Sequence, residues 1–193
     1  MILGRPYDGI VAGLILFAIM YPFRFKRNSL FRNLCMASLF VYIGSVISLT
    51  MIYAPPWDWN ISRFSTTYAL SNINFVPFRA SIEIFNHCAQ KGDYSAFIRL
   101  VGGNSIMLMP LGILVPLLFP KVKAVRIFIL GSMTSLVIEI TQLMANITLG
   151  RILRTVEIDD FIQNVVGCML GYIVFVIIKK IYQRIKPAEQ KLA

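Results

Sequence analysis

Glu139 lies in an otherwise uncharged stretch, residues 127–148 (IFILGSMTSLVIEITQLMANIT), which is long enough to cross a bilayer. A carboxylate inside a membrane span is costly, so it faces the protein interior or a wet cavity and has a partner. Ser135 and Gln142 stand at i−4 and i+3 from Glu139, which puts all three on one helix face. Asp160 and Asn164 form an i, i+4 pair further on, Asn104 sits in an earlier apolar stretch, and Arg154 lies on the connection before Asp160. A carboxyl in low dielectric can exchange a proton near neutrality, which suits general acid or base work. On that reading Glu139 and Asp160 are catalytic candidates, and Asn104, Ser135, Gln142, Arg154 and Asn164 are binding groups. The competing reading is structural: Glu139 pairs with Arg154 or, protonated, bonds Asn104 or Asn164, and such contacts hold membrane helices together at about 0.6–2 kcal/mol each. Glu157, Asp159 and Asp160 also bunch together. Carboxylate oxygens suit a divalent cation such as Mg²⁺ or Ca²⁺, but acids at the start of a span equally suit a helix N-terminus. The second account is favoured, and no cofactor is expected.

These groups must be carried by membrane helices. The chain has 193 residues, of which 57% are hydrophobic and 15% charged, and its mean hydropathy is +0.70. Soluble domains are about a quarter charged. Five apolar runs, residues 9–23, 34–54, 100–119, 125–148 and 161–178, predict an all-α polytopic helix bundle of about five spans in one domain, 1–193. The first run is short unless it begins near Pro6.

Basic residues in short loops set the orientation. Arg24, Lys26, Arg27 and Arg32 follow the first run. Lys121, Lys123 and Arg126 follow the third, and Lys179, Lys180, Arg184, Lys186 and Lys191 follow the fifth. The alternate loops mix both signs. The expectation is an N-terminus outside and a C-terminus in the cytoplasm, with residues 55–99 as an outer-surface segment. Counting from both ends of its run, about 21 Å from Val125 and about 13 Å from Thr148, Glu139 then lies in the outer half of the bilayer. The net charge of +10 is mostly this anchoring charge and suits anionic lipid headgroups. No basic run with interleaved aromatics points to nucleic acid. The N-terminal run is not a cleavable signal, because its basic cluster follows the apolar stretch.

Within residues 55–99, Trp57 and Trp59 read as interfacial residues. Ile82, Phe85 and Ala89 at helical spacing predict a helix on the outer surface, with a two-stranded or irregular lid as the alternative. Pro110 predicts a kink in the third span. Gly167 and Gly171 have the small-xxx-small spacing of close helix packing. Cys35, Cys88 and Cys168 have no metal spacing, and His87 is the only histidine.

Four segments resemble the VanZ-like family. They are Asn74-Phe-Val-Pro77-Phe78, Asn104 through Pro110-Leu-Gly112, Ser135-Leu-Val-Ile-Glu139-Ile-Thr-Gln142, and Arg154-Thr-Val-Glu157-Ile-Asp159-Asp160 through Asn164, Gly167 and Gly171. They occur in order between residues 72 and 172. The chain departs from the pattern at Glu157, where the family often has Asp. It departs again before Arg154, where Leu153 replaces a common Gly; Arg151, preceded by Gly150, is the alternative family arginine. The resemblance implies a multi-pass protein of the bacterial cytoplasmic membrane, associated with resistance to the glycopeptide teicoplanin. It also adds Asn74 and Asp159 to the binding candidates.

Together these readings predict an outward-facing polar site that binds or modifies a lipid-linked envelope component or a lipoglycopeptide. A non-enzymatic interaction protein is the alternative. A small transporter is disfavoured, because the cytoplasmic halves of the spans carry no matching polar path.

Overall fold

The computed structural model describes residues 2–3, 6–50, 53–54, 70, 73–149 and 155–192. Five helical stretches are long and apolar enough to cross a membrane: Tyr7–Phe25, Leu30–Thr50, Ser95–Leu118, Ala124–Thr148 and Ile158–Ile185. Many large apolar side chains on them point outward, among them Val11, Ile15, Ile129, Val137, Ile140 and Ile173. In a soluble bundle these would be a liability; in a bilayer they face acyl chains.

The first span starts at Pro6, where a proline's missing N–H costs nothing. Helix α1 (Pro6–Met20) runs into a π-helical turn at Tyr21–Phe25 that accommodates Pro22 and brings the span to membrane length. Helix α2 (Leu30–Thr50) returns beside it. A Cβ on Gly9 would strike the Gly44 carbonyl, and one on Gly13 the Phe40 carbonyl, so these backbones touch. Phe17 stacks on Phe25 at 5.6 Å between ring centres, and both lean on Phe40.

Helix α3 (Arg79–Lys91) is the surface helix that the spacing of Ile82 and Phe85 predicts. Both side chains are exposed, and Phe85 packs on Tyr94 and Phe97. After the left-handed turn at Gly92 the third span begins with α4 (Ser95–Phe97) and a π-helical turn, Ile98–Gly102. It continues as α5 (Gly103–Met107) and α6 (Met109–Leu118). The span therefore starts five residues before the apolar run does. It breaks at Leu108 (φ −95°, ψ 0°), two residues before Pro110, whose ring cannot follow a regular turn. The Tyr42 hydroxyl on α2 donates to the Met107 carbonyl at the break, at 2.9 Å.

Helix α7 (Ala124–Leu149) forms the fourth span and α8 (Ile158–Leu192) contains the fifth. α8 lies between the third span and α7. Gly167 and Gly171 press on the backbone carbonyls of Ser105 and Met109, and Gly112 presses on that of Cys168. This is the close packing expected of the Gly167-xxx-Gly171 spacing. Leu108, Leu111, Ile127, Ile138 and Cys168 form the core between these helices, joined by Val46 of α2.

Two short ribbons join the loops. β1 (Ile2–Leu3) pairs antiparallel with β2 (Tyr53–Ala54), and β3 (Ile73–Asn74) pairs parallel with β4 (Val156–Glu157). Trp57, Trp59, Arg151 and Arg154 lie outside the described residues.

Candidate functional site

The β3–β4 pairing sets Asn74 opposite Glu157 and so brings the loop before α3 against the start of α8. Asn74 itself makes a local turn, its Oδ1 accepting the Val76 N–H at 3.1 Å. The chain then turns through Phe78 in the left-handed conformation (φ 63°), and α3 begins without a cap from its own sequence. Asp159 supplies that cap from the other side of the fold. Its Oδ1 accepts the Phe78 N–H at 2.5 Å, and its Oδ2 accepts the Ser81 N–H at 2.9 Å and the Ser81 hydroxyl at 2.7 Å. A buried carboxylate with three donors at a helix N-terminus is a strong, charge-assisted arrangement.

One residue along, Asp160 accepts from Asn104 Nδ2 at 2.5 Å. The same amide nitrogen lies 3.4 Å from Gln163 Oε1, and Gln163 Nε2 donates to Ser81 Oγ at 3.1 Å. A continuous polar chain thus links the third span, α8 and α3. The Asn104–Asp160 contact fixes the N-terminal part of the third span against the N-terminus of α8.

This chain borders an open cavity of about 700 Å³. Asn104, Glu157, Asp160 and Arg99 are among its polar lining residues, and Val46, Leu49, Ile106 and Pro110 among its apolar ones. A second, smaller recess of about 260 Å³ lies on the other side of Glu157 and Asp160, toward Ser81, Glu83 and Gln163. Glu157 faces both recesses. Burial, then the nearby charges of Asp160, Asp159 and Glu83, push its carboxyl up to about 7. It can therefore carry or release a proton near neutrality.

A second polar group lies in the seam between α7 and α8. Asn164 Nδ2 donates to Ser135 Oγ at 3.2 Å, and that hydroxyl lies 3.5 Å from the Phe161 carbonyl. Glu139, Gln142 and Asn146 continue along the same buried face of α7. The amide oxygens of Gln142 and Asn164 are buried with no hydrogen-bond donor among the described residues.

A family model described as VanZ/LLP1 matches residues 39–179. The chain belongs to the VanZ/LLP1 family. No curated protein and no solved structure matches it.

The family segments that the sequence singles out meet at one end of the bundle, and they divide there. Asn104 and Asp160 line the large cavity, and Asn74 pairs beside it across the ribbon. Asp159 is directed to the start of α3. Ser135, Glu139, Gln142 and Asn164 lie in the α7–α8 seam and are not among the lining residues of the cavity. Arg154 lies outside the described residues. Among the described residues no three His, Cys, Asp or Glu side chains are grouped so as to hold a metal ion. Gln163, Ser81, Arg99 and Tyr42 are the site residues that sequence reasoning missed. Gln163 stands at i+3 from Asp160, and this was its only local signal.

Proposed function

We propose that this VanZ/LLP1-family protein binds a lipid-linked envelope component at the outer face of the bacterial cytoplasmic membrane. Through that binding it lowers sensitivity to glycopeptide and lipoglycopeptide antibiotics. The observation behind this reading is the amphipathic cavity of about 700 Å³, whose lining combines carboxyl, amide and guanidinium groups with apolar side chains of α2 and the third span. Its form suits a molecule with a polar head and an aliphatic tail. Asp160 and Glu157 accept hydrogen bonds from sugar hydroxyls or pair with an amine. Asn104 orients Asp160, and Arg99 takes a phosphate or carboxylate. The apolar wall between α2 and the third span receives the tail. The positive-inside distribution of basic loops supports an outward-facing cavity.

The test is tolerance to a lipoglycopeptide in cells that carry the chain or its variants. Asp160→Asn and Asn104→Ala should each abolish the added tolerance while the membrane-inserted amount stays normal. Full tolerance in both would overturn the reading. Purified protein incubated with envelope lipids separates binding from modification: a new product by mass spectrometry that is absent with Glu157→Gln would identify Glu157 as an acid or base.

A further inference from the structure

The opposite end of the bundle holds a separate cavity of about 540 Å³. Its lining includes three cations from three elements: Arg32 at the start of α2, Lys121 between α6 and α7, and Arg126 in the first turn of α7. No acid is among its lining residues, and none of the three cationic heads has an acid partner among the described residues. The rest of the wall is apolar, chiefly Val115, Leu118 and Phe119 at the end of the third span. Leu118 is buried, whereas Phe119 and the three cations are exposed.

Three like charges around one hollow repel one another, and the fold holds them there without compensation. A single anion between them relieves that repulsion. The cavity lies where the second, third and fourth spans end, which is the level of lipid headgroups. An anion there that also satisfies the apolar wall has hydrocarbon attached to it.

We propose that this cavity is a binding site for an anionic phospholipid. The phosphate diester lies between Arg32, Lys121 and Arg126, and the first carbons of an acyl chain lie along Val115 and Leu118. The site is independent of the large cavity at the other end. A guanidinium pair gives the phosphate a forked contact, and the lysine adds a point charge.

Native mass spectrometry of the full chain in detergent, with phosphatidylglycerol and phosphatidylcholine offered at equal concentration, tests it. Phosphatidylglycerol should be retained in preference, at one molecule per chain. Arg32→Gln with Arg126→Gln should reduce that retention about tenfold, a loss typical of breaking charge-assisted contacts. Lys121→Gln alone should reduce it less. Lys179→Gln with Lys180→Gln removes the same charge from the same end outside the cavity and should change nothing. Equal losses in both double variants would overturn the proposal in favour of diffuse attraction. Unchanged retention in Lys121→Gln, should the double variant fail to fold, would overturn it too. Glycerol phosphate should compete poorly; displacement of the lipid at equal concentration would show that a soluble phosphate is the ligand instead.

Discussion

The pair α1–α2 and the group formed by the third, fourth and fifth spans solve the same packing problem with different materials. α1 and α2 meet on Gly9, Gly13 and Gly44 and on a cluster of phenylalanine rings. The hydroxyls of Ser45 and Thr50 on α2 turn back to carbonyls of their own helix. The other three spans use the same device at Gly112, Gly167 and Gly171, and bury a larger polar set, Ser135, Glu139, Gln142, Asn146, Asp159 and Asn164, compared with Ser48 and Thr50 on α2. Backbone-to-backbone packing is enough to hold two membrane helices together. The additional buried polar groups lie within the residues that match the family. The match begins at residue 39, inside α2, and leaves α1 out.

The largest effect that tests this contrast should come from Gly167→Leu. A side chain there runs into the Ser105 backbone, which cannot move aside, so the third span and α8 separate and folded protein is lost in size-exclusion profiles. Gly13→Leu makes a comparable collision with the Phe40 backbone. It should displace α1 yet leave the lipid-precursor binding proposed for the cavity unchanged. If Gly13→Leu abolishes capture, the two regions are not separable.

Next in size is Asp159→Asn, which weakens three hydrogen bonds at the start of α3. A loss of about 1–3 kcal/mol in thermal or denaturant stability is expected, together with faster proteolysis within residues 79–91. Ser135→Ala removes one hydroxyl from the α7–α8 seam and should cost about 1 kcal/mol, with capture intact. Lost binding at full stability would move the proposed site into the seam.

The smallest effect is on pH dependence. The folded value for Glu157, about 7, stands above its ordinary 4.5. Between those values the folded state holds more of this proton than the unfolded state, so its contribution to stability falls as pH rises and levels off above the folded value. Partial exposure damps the slope. Melting temperatures at about pH 5 and about pH 8 should differ less in Glu157→Gln than in the parent chain.

The spans were legible because an apolar run of membrane length leaves few other structures open to it. Pro110 and the Gly167-xxx-Gly171 spacing foretold the break and the close contact, since each acts through its own backbone. The rotation of α8 was not legible. Its first turns carry polar groups toward the third span and toward α7 alike, so spacing alone could not tell that Asp160 faces a cavity while Asn164 faces Ser135. Nor could it reveal the carboxylate that starts α3, because Asp159 and Phe78 are 81 positions apart and nothing local marks the pairing. Glu139 stands out in the sequence as an isolated charge, whereas Glu157, which lines the cavity, is hidden among neighbouring acids.

The dependence of α3 on Asp159 bears on how the protein is made. The loop that carries Asn74, Phe78 and Ser81 leaves the ribosome long before the start of α8 does. Until that start arrives, the loop lacks both its strand partner and the cap of its helix. Long-range contacts of this kind form late and slowly. During synthesis the first four spans therefore precede the polar end of the bundle, and a released chain truncated before residue 156 should be inserted but lack the cavity wall that Glu157 and Asp160 supply.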